Sequence, residues 1–195
     1  MKKICLFICL TVLFACSSEI EEKPFKESPV SSISSSSILV AQEKAKMLFT
    51  PSNQATRATD GLGDYPYEEA SEIIDYNMQY AVTNDIYALL IKNGYREELA
   101  DASYDYYCGT DFARIIEKYN ITEDELQFVA NICGCIDYIK ATSTRASTKV
   151  IVACSLAVAG SVVCTISAIG IATPQGLGIW LVGKAIATAS LAFCA

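Results

Sequence analysis

From Val150 to Thr173 the chain runs 24 residues without a charge, and after Pro174-Gln175-Gly176 it continues from Leu177 to Ala195 with Lys184 as its one charged side chain. No other feature limits the fold as strongly, because apolar runs of this length must be buried in protein or in lipid. At ~1.5 Å per residue, a helical first arm spans roughly 35 Å and the second roughly 28 Å, on either side of the ~30 Å hydrocarbon thickness of a bilayer. The Pro-Gln-Gly break between them predicts a helical hairpin. The arms are rich in Ala, Gly and Ser, and pairs of small residues with three between them recur at Ala153 and Ala157, Gly183 and Ala187, and Ala185 and Ala189. That spacing lets helix backbones approach closely. Three destinations are open to such a hairpin: the core of a helical domain, a transmembrane anchor, or a membrane-active segment carried in shielded form.

Charge divides the chain at the same place. All 22 Asp and Glu lie between Glu19 and Asp137 with nine basic residues, a balance of −13. From Ile139 to Ala195 there are four basic residues and no acid, a balance of +4. All 11 tyrosines fall between Tyr65 and Tyr138. We therefore expect an acidic, Tyr-rich helical domain over 38–142 and an apolar hairpin over 143–195. An acidic body excludes nucleic acid as a partner, since phosphate binding needs a basic stripe.

Within the body the apolar period is helical throughout. Ile38, Leu39, Ala41, Ala45, Leu48 and Phe49 recur at three- and four-residue spacing and end near Pro51. Further helices are expected over Glu68 to Val82, Asp85 to Lys92 with Asn93-Gly94 as its stop, Arg96 to Tyr107, and Asp111 to Tyr119 with Thr110 as N-cap. Ile121-Thr122-Glu123-Asp124-Glu125-Leu126 carries a capping box, Thr122 with Glu125, inside a hydrophobic staple, and should start a helix running to about Ala141. No strand-period alternation of any length is present. The fold class expected is all-α: a small helical bundle with a C-terminal hydrophobic helical hairpin. Tyr76, Tyr80, Tyr87, Tyr104, Tyr106 and Tyr107 are expected as half-buried rims of the core, with a binding patch as the alternative.

At the other end, Lys2 and Lys3 precede an apolar run from Ile4 to Phe14, and Leu13-Phe14-Ala15-Cys16 closes it with a small residue before a cysteine. This is the order of a secretory signal, and the L-x-x-C ending resembles the lipobox of bacterial lipoproteins. The resemblance implies removal of residues 1–15, diacylation of the Cys16 thiol, and anchoring of the mature chain to a lipid bilayer in the cell envelope. Residues 16–37 read as a flexible tether, with seven serines between positions 28 and 37 and the acids Glu19, Glu21 and Glu22. Acids just after a lipidated cysteine resemble the surface-export signals of some Gram-negative lipoproteins, which implies an outer-membrane, surface-exposed address.

Six cysteines remain beyond Cys16: Cys108, Cys133, Cys135, Cys154, Cys164 and Cys194. An exported chain sits where disulfides persist, so these are candidates for up to three bridges. Centring the hairpin on Pro174 sets Cys154 opposite Cys194 and predicts a bridge between them. Metal binding is not expected: there is no histidine, and Cys133-Gly-Cys135 is too tightly spaced for a zinc knuckle. No cofactor is implied. Thr56-Arg57-Ala58-Thr59 is nearly repeated at Thr144-Arg145-Ala146-Ser147, so cleavage between Arg145 and Ala146 is a candidate processing step that would free the tail.

A long apolar hairpin wrapped by amphipathic helices resembles the pore-forming colicin architecture, and the small-residue-rich, weakly cationic tail is similar in composition to hydrophobic bacteriocins. The resemblance implies insertion of the two arms into a bilayer. An enzyme is not expected. The absence of histidine removes Ser-His and Cys-His pairs, and no P-loop, G-x-S-x-G or G-x-G-x-x-G motif occurs. The function expected is an envelope lipoprotein carrying a membrane-active, bacteriocin-like hairpin. The alternative is a non-enzymatic surface or periplasmic binding and structural lipoprotein whose hairpin is the core of its domain.

Overall fold

The first helix, α1 (Ser35–Leu48), begins where a serine run can do two things. Ser34 is extended and its hydroxyl accepts the Ser37 N–H at 3.1 Å, so Ser35 to Ser37 join the helix instead of the tether. The computed structural model describes residues 33–51, 67–142, 146–169 and 175–193, and among these it contains eight helices and no strand. The molecule is an all-α helical bundle.

The order continues with α2 (Tyr67–Thr83), α3 (Ile86–Lys92), α4 (Glu98–Tyr107), α5 (Phe112–Lys118), α6 (Glu123–Thr142), α7 (Thr148–Ile169) and α8 (Leu177–Phe193). Local chemistry explains most of the boundaries. Asp85 caps α3 by accepting the Tyr87 N–H, and the chain leaves α3 through Gly94 at φ 78°, a left-handed conformation that glycine adopts without strain. The cap of α5 is Asp111, one residue later than the expected Thr110. Its carboxylate accepts the Arg114 N–H at 2.9 Å and places a negative charge at the helix N-terminus. At α6 the capping box forms in both directions: Glu125 N–H donates to Thr122 Oγ1 at 3.4 Å, and Thr122 N–H donates to Glu125 Oε2 at 3.0 Å. Ile121 and Leu126 are both buried beside it. Arg96, expected to open a helix, instead lies outside α4 and clamps Glu125 through Nε at 2.7 Å and Nη2 at 2.9 Å.

The hairpin is the centre of this arrangement. α7 packs against α2, α3, α4, α6 and α8, and α8 lies back against α7 and α2. Every residue from Ile151 to Val162 is buried, whichever face of the helix it occupies. The polar atoms within this stretch are satisfied locally: Ser155 and Ser161 donate to the carbonyls of Ile151 and Ala157, both at 2.8 Å. Asn77 of α2, itself buried, donates across to Ser161 Oγ at 3.0 Å. Thr188 fastens α8 to Asp75 of α2 at 2.8 Å. The described parts of 38–142 and 143–195, which charge and hydropathy set apart, thus share one core.

Candidate functional site

At the C-terminus of α1, Phe49 is the residue on which three helices close. A Cβ placed on Gly134, in the middle of α6, would lie 3.1 Å from its ring, and one on Gly178, in the first turn of α8, would lie 2.5 Å from it. Glycine inside a helix costs about 1 kcal/mol relative to alanine; here its lack of a side chain makes room for the ring. Phe49 also stacks on Tyr138 with ring centroids 5.9 Å apart.

Beside this contact a cavity of about 360 Å³ opens between α1, α4, α5 and α6, with Lys46, Phe49, Tyr106, Cys133, Asp137 and Tyr138 among its lining residues. Tyr106 donates its hydroxyl to Asp137 Oδ2 at 2.8 Å. Burial, and then this bond, push the Tyr106 phenol well above its ordinary value, so it stays a donor. Burial likewise raises the Cys133 thiol, with the Asp137 charge adding to the effect, so Cys133 presents a neutral sulfur. Lys46 makes no ion pair among the described residues. The cavity has the size and the mostly apolar lining of a small-molecule site, with one carboxylate and one ammonium at its edge. It is suited to holding a small amphipathic molecule, and it contains no activated nucleophile.

The cysteines are not gathered into such a site. Cys108, at the end of α4, and Cys164, on α7, are exposed free thiols, while Cys133, Cys135 and Cys154 are buried free thiols. Among the described residues no disulfide is present, and Cys133 and Cys135, two apart on one helix, turn to different neighbours. Cys135 bonds Ser155 of α7 and feels Cys154 nearby, whereas Cys133 faces the cavity. Burial pushes the Cys154 thiol up to about 12. Cys16, Arg145, Pro174 and Cys194 lie outside the described residues, so the lipidation, processing and Cys154–Cys194 readings rest on sequence. Ala146 is half-buried and packs against the core. Among the described residues no cluster of three Cys, Asp or Glu could hold a metal ion.

Of the expected tyrosine rims, Tyr80, Tyr87, Tyr104, Tyr106 and Tyr107 are half-buried and Tyr76 is exposed. Lys92 sits 3.6 Å from the Tyr76 ring centroid and 4.5 Å from that of Tyr80. No sequence motif marks the cavity. The available signal was Gly134 in a strongly helical segment, since a mid-helix glycine marks a close approach. No family model, curated protein or solved structure matches the chain.

Proposed function

We propose that this chain is a non-enzymatic envelope lipoprotein, anchored through an acylated Cys16, whose apolar hairpin is the structural core of a helical binding domain. The observation that carries this reading is the burial of residues 151–162 on all faces of α7. Ile151, Val152, Leu156, Val158 and Val162 are each 3 % exposed or less. Burying five such side chains contributes roughly 10 kcal/mol, as much as the whole stability of a typical domain at about 5–15 kcal/mol. Withdrawing α7 would therefore unfold the body that surrounds it. The cavity beside Phe49 is the binding site of this reading, and a small amphipathic molecule is the ligand class its lining fits.

Ending the chain after Arg145 tests it. A body that aggregates or loses its tertiary signal supports a core hairpin; a soluble, folded body overturns it. The membrane-active reading keeps one observation in its favour: residues Thr148–Ser167 form a helix long and apolar enough to cross a bilayer. Dye leakage from liposomes treated with the full chain distinguishes the two, with leakage expected from a releasable hairpin and none from a core.

A further inference from the structure

Five large hydrophobic residues are exposed among the described residues, and three of them, Leu39 (62 %), Val40 (52 %) and Met47 (47 %), lie on α1. At ~100° per residue these three fall within an arc of about 100°. The buried residues of α1, Ala41, Ala45 and Leu48, occupy the opposite side. Lys46 and Lys44 stand at the two edges of the outer arc, and both are exposed. An apolar stripe edged by lysines is the pattern of a helix that lies in the headgroup layer, with the ammonium groups reaching up to phosphate and the apolar side chains directed at the acyl boundary. Glu43, also exposed, lies within the arc one turn from both Leu39 and Met47, and the cost of taking a carboxylate into hydrocarbon restricts such a face to the headgroup layer.

We infer that the outer face of α1 docks on the lipid surface to which the chain is tethered, so that Leu39, Val40 and Met47 fix the orientation of the domain on the bilayer. This rests on the lipoprotein reading of Cys16. The chain outside the structure supplies the reason for this occupant. Only 17 residues separate Cys16 from Ser34, and fully extended they reach at most about 60 Å. α1 is thus the first described element after Cys16, and a covalent link of that length keeps its local concentration near the lipid high enough for a weak face to be occupied. The charges agree with this, because α1 carries Lys44 and Lys46 against Glu43, inside an otherwise acidic body.

The test uses the acylated protein isolated from cells and reconstituted into phosphatidylcholine–phosphatidylglycerol vesicles. A benzophenone amino acid replaces Leu39, Met47 or, as an exposed control on α3, Ile91. Lipid adducts at positions 39 and 47 in several-fold excess over position 91 are expected. Equal yields at the three positions, or no lipid adducts, would overturn the proposal, as would adducts to a second copy of the chain. Intact mass separates this from the reading beneath it. If Cys16 carries no acyl chain the lipoprotein reading fails, and the same vesicles added to the unacylated protein then decide the α1 face alone. Lipid adducts at position 39 would retain it, and their absence would overturn both. In the unacylated Cys16→Ser chain, the added pair Leu39→Ser and Val40→Ser should weaken vesicle binding about tenfold without loss of fold.

Discussion

Replacing Leu156 by alanine asks whether the tail and the body are one cooperative unit. Leu156 lies in the middle of α7 and is 1 % exposed. Leu→Ala at such a site costs about 2–5 kcal/mol, the lost transfer energy plus the cavity left behind. In a chain of this length each kcal/mol moves the thermal midpoint by roughly 2–4 °C, so a loss of about 3 kcal/mol lowers it by roughly 6–12 °C. The chain provides two separate reporters. All 11 tyrosines precede the hairpin, and the one tryptophan, Trp180, lies in α8. Near-UV circular dichroism of the tyrosines follows the body and Trp180 fluorescence follows the hairpin. If α7 is the core, both transitions fall together and remain coincident, as a two-state unit requires. A lowered Trp180 transition with an unmoved tyrosine transition would refute the reasoning, because the hairpin would then melt without its sheath.

Gly178→Ala should cost about 1 kcal/mol, since the new Cβ displaces the Phe49 ring by more than the gain in helix propensity offsets; adding Phe49→Leu should recover most of the loss in a urea titration. Arg96→Ala leaves the buried Glu125 carboxylate without its cation and should cost about 1–2 kcal/mol, less than for a fully buried pair because Arg96 is partly exposed. Burial alone would raise Glu125, but the hydrogen bonds from Arg96 and Thr122, with the Arg96 charge, hold its carboxyl below the ordinary value of 4.5. Its stabilisation is therefore complete above that value and is lost as pH falls through the lower folded value; Glu125→Gln should flatten this part of the acid unfolding curve. Under native alkylation followed by mass spectrometry, Cys108 and Cys164 should be modified, while Cys133, Cys135 and Cys154 should react only after denaturation.

What could be read from the sequence was mostly what neighbouring residues decide. The Thr122–Glu125 capping box, the Asn93-Gly94 stop and the hairpin break each depend on a few adjacent side chains, and the helices they punctuate lie close to where the apolar period puts them. The misplacements have equally local reasons. Thr110 and Asp111 are both good caps, and the charged side chain gains more from the helix dipole. A serine run satisfies a tether and an N-cap alike, so the start of α1 at Ser35 was hidden inside composition. The cavity was not legible because Phe49, Gly134 and Gly178 meet across 129 positions of chain, and neither glycine says by itself which ring it admits.

The destination of the tail turns on a different kind of evidence. A helix that is apolar all round belongs either inside a protein or inside a membrane, and its own sequence does not choose between them. The choice lies with its neighbours. α2 buries Ala70, Ile74, Met78 and Ala81 along one stripe, and the helices it packs against are α3, α7 and α8. α3 is only seven residues long, so most of that stripe is covered by the hairpin. α6 is similar: its buried residues, from Leu126 to Ile139, leave little of the helix to water and are divided between α1, α4, α5 and the hairpin. A body that kept its fold while the tail entered a bilayer would have to present these stripes to solvent or pair them with each other. The acidic helices and the apolar tail are then two parts of one bundle, in which the uncharged helices fill the space between the charged ones.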